Sequence, residues 1–169
     1  MNWHAAIEYL KYAWRAKGRH GTHSPFVYNF IEQILLSRGP IEREYIVVYP
    51  ELALRYENLL SRIAQHFGYK AITDTAKNTQ HLPAGSTDML LMSALSPERW
   101  AAMLDESIHL LGDKSVVVVS GIHKSEKHSR SWKALCKKEQ VKMSLDLYCI
   151  GLLLFREEFK VKQHFILKY

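Results

Sequence analysis

Two uninterrupted apolar runs, Met89–Met92 and Val116–Val119, constrain the fold of this chain more than any other feature. Continuous apolar runs of this length suit strands that are buried on both faces of a parallel sheet. A helix start lies between them at Ser96-Pro97, where a capping serine precedes a proline. The apolar stripe of that helix consists of Trp100, Met103, Leu104, Ile108 and Leu111. We expect Gly112 to end the helix, and the strand–helix–strand order predicts a parallel α/β unit with a right-handed crossover.

The last third of the chain adds a helix around Ser131–Lys138 and three more strand signals. Residues 141–147 alternate apolar with polar side chains, which predicts a strand with one covered face, and we expect Gly151 to break this pattern. Leu152–Phe155 follows after a connection too short for a crossover, so the two segments should pair antiparallel. His164–Leu167 is a further apolar run at the end of the sequence.

The first 40 residues predict two helices. The stripe of the first helix consists of Trp3, Ile7, Leu10 and Trp14. Gly18 closes this helix, Ser24-Pro25 begins the second as cap and first-turn proline, and Gly39 ends it. A chain of 169 residues favours one domain with a small appendage. We therefore expect a helical extension over residues 1–40 and an α/β domain over residues 41–169.

The middle of the chain carries weaker signals. Tyr45–Val48 is a short β-branched run that predicts a strand. Pro50 then begins a helix that Gly68 should end. The stripe of this helix consists of Leu52, Tyr56, Leu59, Ile63 and Phe67. Ala71–Thr75 is a weaker strand candidate, and the polar segment Lys77–Thr87 predicts a loop.

Two parts of the chain resemble a known family. Residues 12–28, Tyr-Ala-Trp-Arg-Ala-Lys-Gly-Arg-His-Gly-Thr-His-Ser-Pro-Phe-Val-Tyr, form the N-terminal match. The C-terminal match consists of Ser120–Ser125, Trp132, Leu145–Leu147, Gly151 and Lys162–Phe165. Both resemble a bacterial family of class I S-adenosylmethionine (SAM) methyltransferases, similar to small-molecule O-methyltransferases, over residues 9–39 and 88–169. The resemblance implies SAM as cofactor and a Rossmann-like, doubly wound, mostly parallel sheet that ends in an antiparallel strand pair.

The chain departs from this family at its chemical positions. Residues 49–51 are Tyr-Pro-Glu where the family has an acidic loop with glycine, whose role is close approach of backbone to ligand. Residues 93–95 are Ser-Ala-Leu where the family has an aspartate, and residues 120–121 are Ser-Gly where it has paired acids. We therefore expect no metal site and no orthodox cofactor binding. About one strand–helix unit is missing between Asp74 and Asp88, which predicts a shortened sheet.

Four residues are candidates for a site at the strand ends. If SAM binds, Tyr49, Asp74 and Ser93 would line the cofactor side, with Asp74 on a ribose hydroxyl. The alternative for Asp74 is a turn-forming role. His123 follows the strongest strand and could act as a general base on the acceptor side. Its alternative is a loop histidine held by its neighbours.

Arg19, His20 and His23 cluster in the loop before the second helix. A helix N-terminus attracts anions, so this loop is a candidate anion or substrate site. The alternative is a capping turn in which His23 packs. A zinc site is the weakest interpretation, because no third ligand is near in sequence.

The composition bounds partners and compartment. The formal net charge is +6, with denser basic zones at Lys11–Arg19 and Lys124–Lys142, which favours anionic partners, including nucleic acid, or solvated helix faces. No apolar stretch reaches the roughly 18 residues of a membrane span, so we expect no membrane partner. Cys136 and Cys149 suggest reduced thiols in a cytoplasmic protein. A shortened sheet could leave an open edge that a homodimer covers.

Three functions remain open from the sequence. The first is a methyltransferase-like protein that has lost orthodox cofactor binding and is not catalytic. The second is an active methyltransferase on a small molecule, with a remodelled SAM pocket. The third is a non-enzymatic module that binds an anionic partner, either nucleic acid or protein.

Overall fold

The computed structural model describes residues 3–18, 21, 23–77 and 82–169, without the side chains of His4 and Ala5. Two residues of the predicted anion loop, Arg19 and His20, lie outside the described residues. Residues 78–81 of the segment predicted as a loop also lie outside them. Across the described ranges, no helix has both the length and the apolar character that a membrane crossing requires.

The sheet contains six strands within the described residues. They are β1 (Ile72–Asp74), β2 (Thr87–Met92), β3 (Leu111–Ser120), β4 (Met143–Asp146), β5 (Ile150–Leu154) and β6 (Gln163–Ile166). Their order across the sheet is β1-β2-β3-β5-β4-β6, and β5 alone runs against the others. Leu145 lies opposite Leu152 in an antiparallel pair, which confirms the predicted pairing. The sheet does not end there, because β6 adds a parallel strand beside β4.

Five α-helices surround this sheet in the described ranges. They are α1 (Trp3–Arg15), α2 (Pro25–Phe30), α3 (Leu54–Phe67), α4 (Trp100–Ser107) and α5 (Glu126–Lys137). Ser24 caps α2 by accepting from the Val27 N–H, as its position before Pro25 predicts. Gly68 ends α3 at φ 70°, a left-handed conformation that glycine adopts without strain.

Both faces of the sheet are buried, each in its own core. Val116 and Val118 pack into one core, which α2 and α3 cover, whereas Val117 and Val119 pack into the other, against α4 and α5. The two apolar runs are uninterrupted because successive side chains of a strand point to opposite faces. The predicted α/β architecture with a buried, mixed sheet is therefore confirmed.

The predicted strand at Tyr45–Val48 is wrong. Arg43–Tyr45 is a single 3-10 turn, and the next residues are extended without pairing to a strand. Val47 is buried and its N–H donates to Ser61 Oγ of α3 at 2.9 Å, whereas Ile46 and Val48 face solvent. The alternation was real, but it covers one side of a helix and not a sheet.

Two further expectations fail near the end of the sheet. All four side chains of β4 are buried, including Ser144 and Asp146, so this strand is not covered on one face only. Gly151 does not break the pattern, because it lies inside β5. A Cβ atom at Gly151 would overlap Cη2 of Trp132. The glycine therefore lets the indole pack directly on the strand backbone.

The helix after Ser96 is also shorter than its stripe suggested. Pro97–Arg99 forms a 3-10 turn before α4, and Ser96 makes no side-chain cap bond. A second 3-10 turn, Ile108–Leu110, follows the helix. Gly112 does not end the helix, because β3 has already begun at Leu111. The apolar spacing continued past the helix since the next strand is buried by the same core.

Candidate functional site at the carboxyl edge of the sheet

The strands β1, β2 and β3 are parallel, so their carboxyl ends meet at one edge of the sheet. Open α/β sheets bind ligands in the crevice outside this edge. Asp74 ends β1, Ser93 follows β2 and Ser120 ends β3. The structure therefore brings the predicted cofactor-side residues into one place.

Asp74 and Ser93 contact each other. The Ser93 hydroxyl donates a short hydrogen bond to Oδ1 of Asp74. The same oxygen accepts from the N–H of Ala76 at 2.9 Å, which is the geometry of a turn-forming aspartate. Both predicted residues thus make hydrogen bonds within the protein, and Asp74 has the geometry of the turn-forming role given as its alternative.

The Tyr49 ring fills the space between the ends of β2 and β3. Its side chain is 1% exposed, and its hydroxyl donates to the Met92 carbonyl at 2.9 Å. The Ser120 hydroxyl lies 3.4 Å away. Burial raises the pKa of Tyr49, so the phenol stays neutral and keeps donating at physiological pH. Tyr49 is a wedge at the edge of the sheet rather than an open wall of a pocket.

Glu51 closes the same edge from the outside. Its Oε1 accepts from the Ala94 N–H at 2.7 Å, and its Oε2 accepts from the Ser120 hydroxyl at 3.1 Å. Ala94 has φ 51°, a left-handed conformation that costs a non-glycine residue free energy. In the sequence, Glu51 is visible only as part of the glycine-free segment 49–51, and its bridging role between two strand ends was not predicted.

Two cavities flank this bridge. The Tyr148 cavity has a volume of about 390 Å³ and includes Tyr56, His123, Tyr148 and Cys149 in its lining. The Trp100 cavity has a volume of about 460 Å³ and includes Leu95, Trp100 and His128. Glu51, Gly121 and Lys124 border both. None of the predicted cofactor-side residues lines either cavity.

His123 is held on both sides of its ring. Its Nε2 lies 2.7 Å from Oδ2 of Asp146, and its Nδ1 lies 3.2 Å from Oγ of Ser129. The Tyr148 ring stacks on the imidazole at a centroid distance of 5.7 Å. An ionised Asp146 accepts from Nε2–H, so in a neutral imidazole Nδ1 accepts from the Ser129 hydroxyl. The lone pair that a general base would use points to Ser129.

The line Ser129–His123–Asp146 has the residue types of a nucleophile, a base and an orienting acid. A nucleophile must reach a substrate, but Ser129 is 5% exposed and lies in α5. The Asp146 carboxylate also accepts from the N–H of Tyr148 at 2.9 Å. We interpret the line as a buried polar network that fixes the end of β4. Asp146 was missed as a site residue, although an acid between Leu145 and Leu147 was a visible signal.

A third cavity lies between α1 and α5 and has a volume of about 420 Å³. Glu8, Tyr12, His123, Asp146 and His164 are among the residues that line it. Its cationic side chains are Lys11, Arg15 and Lys133. The tertiary structure thus joins the two basic zones of the sequence at one place. Lys11 binds Glu8 at 2.7 Å, whereas no carboxylate of the described residues lies within 4.0 Å of the Arg15 or Lys133 side chains.

His23 lies elsewhere. It lines a fourth cavity of about 500 Å³ together with Pro25 and Phe26 of α2 and with residues 158–161. This cavity shares no lining residue with the three cavities described above. The structure therefore does not join His23 to His123, and the predicted roles of Arg19 and His20 fall outside the described residues.

No group of three or more His, Cys, Asp or Glu side chains in the described part of the chain could hold a metal ion. Comparison with protein-family models, with curated proteins and with solved structures gives no significant match for this chain.

Proposed function

We propose that this chain is a methyltransferase-like protein of Rossmann-like, doubly wound ancestry that does not catalyse SAM-dependent methyl transfer. One observation carries the proposal: Tyr49 and Glu51 occupy the carboxyl edge between β2 and β3. A nucleotide cofactor at that edge needs a backbone that it can approach closely. Here the approach is blocked by a buried ring and a carboxylate, so the residues present do not fit SAM.

Electrostatics at this edge support the same proposal. SAM carries a sulfonium cation and a nucleoside ribose. The two acids nearest the edge, Asp74 and Glu51, already accept hydrogen bonds from Ser93, Ala76, Ala94 and Ser120. A bound ribose would have to replace these bonds, and a buried group left without its partner costs about 1–3 kcal/mol.

Isothermal titration of the full chain with SAM and with its demethylated product tests the proposal. We expect no binding heat at ligand concentrations up to about 1 mM. The Glu51→Ala variant is the informative companion, because it removes the outer bridge while leaving the Tyr49 ring in place. Micromolar affinity of the wild-type protein for either ligand would overturn the proposal.

An active methyltransferase with a remodelled pocket is the second candidate. The observation in its favour is that His123 and Tyr148 line an open cavity at the carboxyl edge. Direct displacement needs proximity and alignment rather than a metal. In this case His123 would serve the acceptor, and Tyr49, Asp74 and Ser93 the cofactor. Unchanged turnover of the His123→Ala variant, in an assay with an identified acceptor, would exclude this role.

A module for an anionic partner is the third candidate, and the cavity between α1 and α5 favours it through Arg15 and Lys133. Phosphate neutralisation makes affinity fall steeply with salt. We expect salt-dependent retention on heparin that the Arg15→Gln/Lys133→Gln variant weakens and the distant Lys70→Gln variant does not. Equal retention of both variants would contradict it. The two free, half-buried cysteines support a cytoplasmic location within each candidate.

A further inference from the structure

The predicted stripe of α1 faces solvent instead of the core. Its four side chains are exposed by 73% (Trp3), 48% (Ile7), 69% (Leu10) and 87% (Trp14). No other element of the described residues covers them. Single exposed apolar residues are ordinary, but a contiguous row with two tryptophans marks an interaction surface.

The other side of α1 is tied to the domain. The Tyr12 hydroxyl donates to the Leu167 carbonyl and accepts from the Tyr169 N–H at 3.2 Å. The Lys17 N–H donates to the Ile166 carbonyl at 2.8 Å, so the segment after the helix pairs with the end of β6. These bonds fix which face of α1 is turned inward. The stripe is therefore presented outward by an anchored helix.

The spacing of the stripe is that of a helix–helix seam. Its residues are separated by four, three and four positions, which is the alternation that a two-helix contact uses. The pattern is also the same from either end: aromatic, aliphatic, aliphatic, aromatic. Two copies packed antiparallel would place Trp3 on Trp14 of the other copy and Ile7 on Leu10. Such self-complementarity is what a two-fold interface requires.

The charges beside the stripe permit this pairing. Lys11, next to Leu10, is held by Glu8 at 2.7 Å, and the Glu8 side chain is turned inward toward His123. The flanking Ala6 and Ala13 are small and allow two helices to approach. A lipid surface requires no symmetry in the stripe, so the self-complementary order of its side chains favours a second copy over a lipid surface.

The area is adequate for a weak dimer. A tryptophan side chain carries about 200 Å² of surface, so the two tryptophans of each copy expose on the order of 300 Å². Two copies, with the aliphatic pairs included, approach the roughly 1,000 Å² that a specific interface needs. From these observations we propose that α1 forms a two-fold, antiparallel interface between two copies of this chain. The proposal is independent of the function proposed above.

Sedimentation velocity of the full chain, from about 1 to 200 µM, tests the interface. We expect dimer to form over this range, with a dissociation constant on the order of 10 µM. Trp3→Ala/Trp14→Ala should weaken the dimer at least tenfold, because it removes both ends of the seam. Val48→Ala is the matched control, since Val48 is 70% exposed but lies outside α1. A wild-type monomer at 200 µM, or an undiminished dimer of the tryptophan variant, would overturn the proposal.

Crosslinking tests the orientation. In a Cys136→Ser/Cys149→Ser background, a mixture of Ile7→Cys chains with Leu10→Cys chains should form mixed disulfide dimers on oxidation. Trp3→Cys alone should not, because its two copies lie about 16 Å apart in the antiparallel arrangement. A Trp3→Cys crosslink would show parallel helices and overturn the antiparallel arrangement.

Vesicle sedimentation tests whether a lipid surface, instead of a second copy, is the partner of α1. The wild-type chain is mixed with phosphatidylcholine vesicles and with vesicles containing 30% phosphatidylglycerol (about 1 mM lipid). We expect the protein to stay in the supernatant with both. Binding to the anionic vesicles by a chain that is monomeric in solution would replace the second copy with a lipid surface as the partner of α1.

Discussion

The carboxyl edge of the sheet and helix α1 differ in what became of the side chains that the sequence marks out. At the edge, side chains with the types expected of a site are turned toward each other: Ser93 donates to Asp74, and His123 is held by Asp146. On α1, side chains with the types expected of a core, such as Trp14, lie in solvent. Residue type and spacing thus define a capacity to interact, whereas the surrounding structure determines the partner.

The largest effect on stability is expected from removal of the Tyr49 ring at the carboxyl edge. Tyr49→Ala deletes a ring that is 1% exposed and should lower the free energy of unfolding by about 4 kcal/mol, because large-to-small changes in a core leave a cavity. Urea unfolding measures it. Tyr28→Ala is the matched control, since this ring is 42% exposed and should cost under about 1 kcal/mol. Equal effects would mean that the edge is not closed by Tyr49.

Asp146→Ala should lower the free energy of unfolding by about 3 kcal/mol. The change leaves His123 Nε2 and the Tyr148 N–H without their acceptor in a buried setting. Asp146→Asn keeps the shape and one acceptor, so its effect should be about half as large. Denaturant midpoints compare the two variants. If Asp146→Ala leaves the free energy of unfolding unchanged, the network does not have the structural role that we assign to it.

Tyr12→Phe examines how α1 is anchored. Loss of the hydroxyl bond to the Leu167 carbonyl should cost about 1 kcal/mol at neutral pH. Burial raises the pKa of Tyr12 to about 12 from its ordinary 10.0. The raised pKa stabilises the folded state fully below pH 10, and this contribution is lost as the pH rises from 10 to about 12. The wild-type protein should therefore lose stability more steeply than Tyr12→Phe between pH 10 and 12, as followed by urea unfolding at each pH.

The smallest expected effect belongs to the exposed stripe. Trp14→Ala should change the free energy of unfolding by less than about 0.5 kcal/mol at 1 µM protein, where the proposed dimer is dissociated. The same variant should melt lower than the wild-type protein only at concentrations near 200 µM, since dimerisation stabilises the folded chain by mass action. A thermal melt at both concentrations measures the difference. A large loss at 1 µM would show that Trp14 packs within one chain.

Strong local patterns were sufficient for much of the fold. The apolar runs of β2 and β3, the Ser24-Pro25 helix start and the Gly68 helix end were all confirmed. Each depends on interactions within a few residues, or on burial of both strand faces, which composition alone reveals. The Tyr45–Val48 prediction failed because alternation reports that one side of a segment is covered and does not say whether a helix or a strand covers it.

The candidate site was less predictable. Asp74 and Ser93 were placed at the correct edge because the ends of parallel strands meet there. Their mutual hydrogen bond was not predicted, and neither was the Glu51 bridge. Glu51 contacts Ala94, which is 43 positions away in sequence, and Ser120, which is 69 positions away. Nothing local encodes such a contact, since it depends on how the loop before α3 crosses the strand ends.

Local sequence patterns were enough to predict two strands that are buried on both faces and the positions where several helices begin or end. These properties follow from side-chain periodicity and from backbone preferences that act over one or two turns. The packing of distant segments is what places Tyr49 and Glu51 at the carboxyl edge, Asp146 beside His123 and the α1 stripe in solvent. Those outcomes depend on distant parts of the chain competing for the same hydrogen bonds and apolar surface.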